Sequence, residues 1–228
     1  MRMMSKIRIF LFFGIVLSGL TLPVVAQTNA VNAKAMVSTD QTQQAPAGKF
    51  IQDLGNEAIG IIADKGLTPE QRHKKYYDLL HQAFDMSTIG HFVLGRTWNT
   101  LTPEQQQEYM KLFEALVVKI YGDRLNLYSG ETFRVKSVRS ENDKDSIIGS
   151  EITHSDSTPP TLVDWRVRQD NGKLAVVDVV VEGVSQSVTQ RQEYAAILQR
   201  NNNDFNALLN VMRQKVQQQN ANLEPNNL

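Results

Sequence analysis

The apolar residues of this chain change their spacing about halfway along it. From Phe50 to Tyr121 they recur every three or four residues, which is the period of an amphipathic helix. From Phe133 to Val181 they mostly alternate with other residues, which is the period of a β-strand. Helical spacing returns at Tyr194. Helices, then antiparallel strands, then helices is the order of an α+β protein, so we expect a single domain with a curved sheet of about four strands covered on one face by helices.

The helical half contains the pentapeptide Leu-Thr-Pro-Glu-Gln twice, at 67–71 and 101–105. In each copy the threonine can accept from open backbone amides, the proline occupies the first helical position, and the glutamine can reach back to the threonine. The sequence therefore predicts one helix start at Thr68 and another at Thr102. Between them, the apolar segment 86–94 is typical of a short helix that ends at Gly95.

The fourth predicted strand, VVDVVVEGVS at 176–185, places Asp178 among valines. The face of the sheet to which Asp178 points depends on the loop between the third and fourth strands, since loop length sets the register. A two-residue loop would put Asp178 opposite Trp165, on the buried face. A three-residue loop, with Gly172 left-handed, would instead put the apolar residues of both strands on one face: Val163, Trp165, Val167, Ala175, Val177, Val179 and Val181.

We expect the three-residue loop, because burying an unpaired carboxylate costs several kcal/mol. Asp178 then lies on the opposite face with Asp164, and Arg166 is its diagonal neighbour. The sequence predicts a structural, paired and partly exposed carboxylate at this position.

The two ends of the chain are predicted to lie outside the domain. Basic residues, an apolar stretch and the small-residue site Val24-Val25-Ala26 follow one another as in a secretory signal peptide, with cleavage expected after Ala26. We therefore expect residues 1–26 to be a signal peptide and 27–49 a disordered polar leader. The folded domain is expected at 50–216, and a polar tail at 217–228.

Several kinds of chemistry are not supported by the residues present. Without the signal peptide the chain keeps 21 basic residues (24 minus 3) against 24 acidic ones, with no basic cluster, so nucleic-acid binding is not expected. Cysteine is absent, which excludes thiolate metal sites and thiol catalysis. The four histidines, His73, His81, His91 and His154, have no metal-ligand spacing. We expect neither a metal nor a cofactor.

Two single glycines, Gly55 and Gly60, interrupt the first helical pattern. Each is explained either by close packing or by room for a ligand chain. Ser185 follows a strand as Gly-Val-Ser, but the glycine that a nucleophile elbow requires after the serine is missing. We interpret Ser185 as a residue that starts or precedes the following helix.

Several strings occur together and in a fixed order along the chain: FDMSTIGHFVLGRTW (84–98), TPEQ (102–105), LFE (112–114), YSGE (128–131), VDWRV (163–167), DVVVEGVS (178–185) and ILQR (197–200). Together they resemble the toluene-tolerance or MlaC family of periplasmic phospholipid-binding proteins, and are most similar to its hopanoid-associated HpnM branch. The resemblance covers about residues 50–216. His91 stands where that branch usually has arginine, and Thr97 where an aromatic residue is common.

The resemblance implies an NTF2-like or MlaC-like fold and a periplasmic lipid carrier that is a monomer and not an enzyme. Such a protein holds a phospholipid, tails inward, in an apolar pocket between sheet and helices. It exchanges the lipid with an inner-membrane ABC transporter complex that has an MCE-domain subunit, and with an outer-membrane lipoprotein complex. In the hopanoid branch, a triterpenoid is a further expected cargo.

The apolar faces of the predicted helices and strands converge on one side of the sheet, which predicts the walls of such a pocket. Arg96 is the candidate for a headgroup contact; the alternative is an arginine in a surface ion pair beside a core tryptophan, Trp98. The predicted pocket residues are Ile61, Phe84, Ile89, Phe92, Val93, Trp98, Leu112, Phe113, Leu116, Val117, Tyr121, Trp165, Val167, Val177 and Val179.

Two other functions fit the same pattern. An enzyme on a similar cone-shaped fold would use Asp164 or Asp178 as a general base, and would need that carboxylate to face inward. A protein-only adaptor would have the same apolar residues filling an ordinary core. Periodicity does not distinguish a filled core from a pocket.

Overall fold

The computed structural model describes residues 45–122, 130–156 and 158–221. The predicted signal peptide lies outside these residues, as does most of the predicted leader. The helices are α1 (Pro46–Ala63), α2 (Pro69–Ala83), α3 (Met86–Leu94), a 3₁₀ helix (Gly95–Thr100), α4 (Pro103–Gly122), α5 (Gln186–Arg200) and α6 (Phe205–Ala221). Among the described helices, none has both the length and the hydropathy needed to cross a membrane.

The strands form one antiparallel sheet in the order of the chain: β1 (Thr132–Ser140), β2 (Asp145–Thr153), β3 (Thr161–Asp170), β4 (Lys173–Val181) and β5 (Val184–Ser185). The α+β prediction is therefore confirmed. The segment predicted as one fourth strand is divided by a turn at Glu182 and Gly183, which have φ values of 49° and 80°. The two-residue strand β5 then folds back on β4.

Both predicted capping boxes are present. The Thr68 hydroxyl accepts from the Gln71 amide at 3.2 Å, and the Gln71 side chain accepts from the Thr68 amide at 2.9 Å. Thr102 and Gln105 make the same reciprocal pair, at 3.3 and 3.1 Å. Helix α3 ends at Gly95, whose φ of 59° lies in the left-handed region. These helix limits follow from local hydrogen bonding, which explains why the sequence predicts them.

The outer limits of the domain differ from the prediction. Helix α1 begins at Pro46, so residues 46–49 are helical and not part of the polar leader. Pro46 suits the first turn because it lacks an amide hydrogen, and Ala47 is buried with the next apolar residues of the helix. Helix α6 continues to Ala221, beyond the predicted limit at 216.

The predicted three-residue loop between β3 and β4 is wrong. Asp170 pairs with Lys173, so the loop consists only of Asn171 and Gly172. Their φ values of 49° and 79° are both left-handed, as in a type I′ hairpin turn.

A β-bulge at Val177 turns the residues that follow it in β4 to the faces on which they were expected. With a two-residue loop and no bulge, these residues would point to the opposite faces. Val167 lies opposite Val176, but Arg166 lies opposite Asp178, so Val177 is the extra residue of β4. Val176, which alternates with Ala175 and Val177 and so was expected on the outer face, is therefore buried against the helices. In turn Ala175, expected on the inner face, lies opposite Arg168 on the outer side.

Beyond the bulge the expected faces are restored. Trp165 lies opposite Val179, and Val163 opposite Val181. The Trp165 indole donates to the Ser150 hydroxyl at 2.9 Å, and that hydroxyl donates to the carbonyl of Val163 at 2.9 Å. Because the indole N–H has a partner, the ring can lie in an apolar layer without leaving a polar atom unpaired.

On the outer side, the sheet is held by an ion pair between β2 and β3. Arg168 donates to both carboxylate oxygens of Asp145, at 2.8 and 2.9 Å. The Asp145 side chain is only 5% exposed. The hydrogen bonds from Arg168 lower the pKa of the Asp145 carboxyl below its usual value, against the opposing effect of burial.

This pair predicts an acid-sensitive contribution to stability. Because the folded-state pKa of Asp145 is depressed, its contribution is present above the unfolded-state pKa of about 3.9 and is lost as pH falls through the folded value. Asp145→Asn should lower the free energy of unfolding by about 1–3 kcal/mol at pH 7. Urea unfolding should show that the difference in free energy of unfolding between wild type and Asp145→Asn becomes smaller below about pH 4. A difference in free energy of unfolding that does not change with pH would contradict the prediction.

Candidate functional site

The interior is divided into two apolar clusters. The first, here the sheet cluster, lies between the inner face of the sheet and helices α1 and α2. Its buried members are Ala47, Ile51, Leu54, Ile61, Tyr76, Leu79, Leu80, Ala83, Met86, Val118, Val135, Ile148, Val167 and Val176. The second, here the helix cluster, lies among α3, α4, α5 and α6. Its buried members are Val93, Leu94, Tyr109, Phe113, Leu116, Tyr194, Leu198, Phe205, Leu208, Leu209 and Met212.

The predicted pocket residues are distributed over both clusters. Ile61, Phe84, Trp165, Val167 and Val179 belong to or pack on the sheet cluster. Ile89, Val93, Trp98, Leu112, Phe113 and Leu116 belong to or pack on the helix cluster. Val117 packs against both. Periodicity identifies the face on which a residue lies but not the neighbour that covers it, so the sequence did not separate the two sets.

Three predicted residues stand apart. Val177 is buried at the bulge, outside both clusters. Phe92 is 42% exposed and does not line the interior; the Arg191 guanidinium lies 5.1 Å from the centre of its ring. The Tyr121 side chain lies outside the part of the chain that the structure describes.

Apart from Trp98, six of the predicted residues are apolar, half-buried and attached to the borders of the clusters. Here they are called the border residues: Phe84, Ile89, Leu112, Val117, Trp165 and Val179. They come from five different parts of the fold. The Phe84 and Trp165 rings meet edge to face at 6.4 Å, and Trp165 lies opposite Val179 in the sheet. The border residues therefore keep apolar surface accessible on both clusters.

The centre of the helix cluster, in contrast, is densely packed. Tyr109 is fully buried and donates to the carbonyl of Gly90 at 3.0 Å. The rings of Phe113, Tyr194 and Phe205 lie within 6.3 Å of the Tyr109 ring. Burial raises the pKa of the Tyr109 hydroxyl far above its usual range, so it remains a hydrogen-bond donor. This part of the helix cluster is a filled core.

Arg96, the candidate for a headgroup contact, and His91 both lie on the surface. The Arg96 side chain is exposed, and within the described residues it makes no ion pair or side-chain hydrogen bond. Its headgroup contact therefore stays a prediction. His91, also exposed, lies against Trp98 with their ring centres 3.9 Å apart. The His91 ring thus covers one side of this half-buried tryptophan.

Asp178 has a structural position. Its carboxylate accepts from the Ser187 amide at 3.1 Å, from the Val179 amide at 2.9 Å and from the Ser185 hydroxyl at 2.6 Å. Ser185 is itself the N-cap of α5, as its hydroxyl accepts from Val188. Asp178 therefore joins β4 to the first turn of α5, where a negative charge is favourable.

The enzyme hypothesis requires Asp164 or Asp178 to face inward. Asp164 alternates with the inward-facing Val163 and Trp165, which places it on the outer side of the sheet. Arg166, opposite Asp178, pairs instead with Glu141 at 3.0 Å. Neither carboxylate faces the sheet cluster, so the inward geometry that this hypothesis needs is not met. Within the described residues, no three His, Cys, Asp or Glu side chains form a group that could hold a metal ion.

A cleft of about 410 Å³ lies between α1 and α2. It is called the α1–α2 cleft below. Its lining residues are Glu57, Gly60, Ile61, Asp64, Leu67, Lys75, Asp78, Leu79 and Gln82, of which only Ile61 was predicted as a pocket residue.

Gly55 and Gly60 of α1 have different surroundings. A Cβ on Gly55 would lie 2.2 Å from the Phe133 ring, so this glycine allows α1 to approach β1 closely. A Cβ on Gly60 would have no heavy atom within 4 Å, and Gly60 lines the cleft. The sequence left both explanations open for each glycine, and the structure assigns close packing to Gly55 and open space to Gly60.

Within the described residues, the fold and site define an α+β protein with a five-stranded antiparallel meander, a two-part apolar interior and a cleft between its first two helices. The family model described as MlaC protein matches residues 52–214. The chain belongs to the MlaC family.

Similar proteins agree with this assignment. The chain is 25% identical over 160 residues to the toluene tolerance protein ttg2D of Pseudomonas putida, which covers 68% of this chain and 74% of that protein. It is 26% identical over 137 residues to the intermembrane phospholipid transport system binding protein MlaC of Haemophilus influenzae, covering 59% of this chain and 63% of that protein.

The fold also matches a solved structure, that of a phospholipid-binding protein from Ralstonia solanacearum in complex with a phospholipid. The TM-score is 0.67 at 22% identity, over 77% of this chain and 99% of that one. At this level of identity the likeness shows the fold alone.

The Asp178 geometry predicts a loss of stability on substitution. Asp178→Ala should lower the free energy of unfolding by about 1–2 kcal/mol, because the first turn of α5 loses its acceptor. Asp164→Ala, on the same face of the neighbouring strand, is the matched control and should change stability by less than about 0.5 kcal/mol. Urea unfolding measures both, and equal losses would contradict the capping role.

Proposed function

We propose that this protein is an exported, periplasmic lipid carrier that shields phospholipid acyl chains in the apolar space bordered by its sheet cluster and helix cluster. The observation that supports it most directly is the set of border residues. Apolar side chains from the sheet and from helices α3 and α4 remain half-buried although they adjoin well-packed clusters. Membership of the MlaC family and the names of its relatives support the same conclusion.

The energetics explain why such a carrier is useful. Shielding one CH₂ group from water is worth about 0.8 kcal/mol, so a sixteen-carbon chain gains on the order of 13 kcal/mol, as an upper figure. Spontaneous escape of a phospholipid into water is therefore very slow. An apolar protein interior offers its chains surroundings close to those of the bilayer, so transfer at a membrane complex needs only a modest difference in affinity.

The proposed partners follow from the resemblance. The carrier exchanges lipid with an inner-membrane ABC transporter complex that has an MCE-domain subunit, and with an outer-membrane lipoprotein complex. It acts as a monomer and without catalysis. Phospholipid is the proposed cargo; placement in the HpnM branch would add a hopanoid, which differs from a phospholipid in lacking a glycerophosphate group.

The first test is the content of the purified protein. Full-length protein expressed with its own N-terminus and isolated from the periplasm without detergent should release about one lipid per chain on organic extraction. Mass spectrometry then identifies phospholipid, or a triterpenoid if the protein belongs to the hopanoid branch. Extracts that remain empty under mild purification would contradict the carrier function and favour a protein-only adaptor.

The position of the lipid can be tested with neighbouring residues that point to opposite faces of β4. Val179→Phe fills space beside Trp165 and should reduce bound lipid per chain several-fold. Val180→Phe, on the outer face, is the matched control and should retain it. Thermal unfolding of both variants checks that each is folded.

The two tryptophans give a second, independent readout. In a Trp98→Phe variant the remaining Trp165 should be quenched by phospholipid with brominated chains, because it is a border residue of the sheet cluster. In Trp165→Phe, the remaining Trp98 should be quenched less, since His91 covers one side of its ring. If Trp98 were quenched more strongly than Trp165, the acyl chains would lie nearer the helix cluster than the sheet cluster, against the proposal.

A further inference from the structure

The α1–α2 cleft has no role in the proposed function so far. We propose that it is the port through which lipid acyl chains enter and leave the interior. This inference rests on the proposed function and adds the route to it. Four properties of the cleft support it: its floor, its rim, the way its two helices are joined, and the open space at Gly60.

The floor of the cleft is a wall of the apolar interior. Ile61 and Leu79 line the cleft and are buried members of the sheet cluster, and Leu67 lines the cleft and packs on that cluster. The same side chains therefore separate the cleft from the sheet cluster. An acyl chain that displaces them enters the cluster that carries Phe84, Trp165 and Val179 at its border.

The rim of the cleft is charged. Lys75, Glu57, Asp64 and Asp78 line it, and Asp78 is paired with Lys74 at 2.7 Å. Lys75 makes no ion pair within the described residues, so its ammonium group is available to a phosphate. A rim with both carboxylates and an ammonium group above an apolar floor matches a zwitterionic phospholipid, whose phosphate and ammonium groups stay in water while its chains move inward.

The two helices can separate without breaking ion pairs between them. Lys49 pairs with Asp53 within α1 and Lys74 with Asp78 within α2, while His81 of α2 lies 3.8 Å from Glu114 of α4. No ion pair in the described residues joins α1 to α2. The turn between the helices is held by Arg72, which donates to the carbonyls of Asp64 and Leu67. When α1 and α2 separate at this turn, mainly apolar contacts are lost, and the entering acyl chain replaces them.

Gly60 provides a direct test because added atoms at this position meet open space. The chain has no cysteine, so Gly60→Cys introduces a single thiol at the cleft. Glycine is about 1 kcal/mol less favourable than alanine in a helix interior and cysteine lies between the two, so Gly60→Cys should slightly favour the helix and the variant should fold. Methanethiosulfonate reagents of increasing size then fill the cleft on the folded protein, and a reductant removes them.

The measured quantity is the rate at which the lipid-loaded protein exchanges fluorescent phosphatidylcholine with zwitterionic vesicles. A bulky reagent on Gly60→Cys should slow exchange at least about tenfold, which corresponds to about 1.4 kcal/mol in activation free energy. A methyl-sized reagent should have little effect, and reduction should restore the rate. The control is Asn56→Cys, an exposed position of α1 outside the cleft lining, where the same reagents should leave the rate unchanged.

The outcomes separate the port from the carrier function. If the unmodified protein binds and exchanges lipid but the bulky reagent at Gly60 leaves the rate unchanged, the port is elsewhere and the carrier function stands. Equal slowing at Asn56 and Gly60 would also overturn the port, because the effect would not depend on the cleft. If unmodified protein neither contains nor exchanges lipid, the proposed function itself is wrong.

Discussion

The β-bulge at Val177 is the constraint on which the rest of the structure depends. With the two-residue loop Asn171-Gly172 and no bulge, Asp178 would lie opposite Trp165, on the face covered by helices. An unpaired carboxylate there would cost several kcal/mol. The extra residue shifts the register by one, so that Val179 faces inward beside Trp165 and Asp178 faces the other side.

The same shift connects the two halves of the interior. Strand β4 contributes Val176 and Val179 to the sheet cluster, while Asp178 on its other face holds the first turn of α5. Helix α5 in turn contributes Tyr194 and Leu198 to the helix cluster. One strand therefore positions the sheet face and the helical layer relative to each other, and a carboxylate that looks like a candidate catalytic group has a structural role.

The distribution of burial is consistent with a protein that holds an amphipathic ligand. The centre of the helix cluster is filled around Tyr109, whereas the border residues remain half-buried. A rigid centre keeps the two clusters in place, and partly exposed apolar surface at their borders is what a hydrocarbon chain can cover. Arg96 lies in the 3₁₀ helix between Leu94 and Trp98 of the helix cluster, whereas the α1–α2 cleft is lined by Ile61 and Leu79 of the sheet cluster. A headgroup contact at Arg96 and a port at the cleft would therefore be separate features.

Much of the fold followed from residues that act over a few positions. The reciprocal bonds at Thr68 and Thr102, the left-handed Gly95 and the Ser185 cap are local interactions, and the sequence predicted each helix limit that depends on them. The change of apolar period predicted the α+β order, and the strings shared with the family led to the MlaC assignment. The strand register was only partly predicted. A three-residue loop and a two-residue loop followed by a bulge both place Val179 on the inner face and Asp178 on the outer face, so the sequence pattern did not distinguish them.

The sequence by itself determined which residues are apolar, where the capped helices begin and which face of most elements is buried, since these depend on short-range hydrogen bonds and on periodicity. Only the tertiary structure decided which buried faces meet, and therefore which predicted pocket residues belong to which cluster. Gly55 and Gly60 show the reason most simply. Both are single glycines in one helix, but one meets Phe133 and the other open space, because what surrounds a residue is supplied by distant parts of the chain.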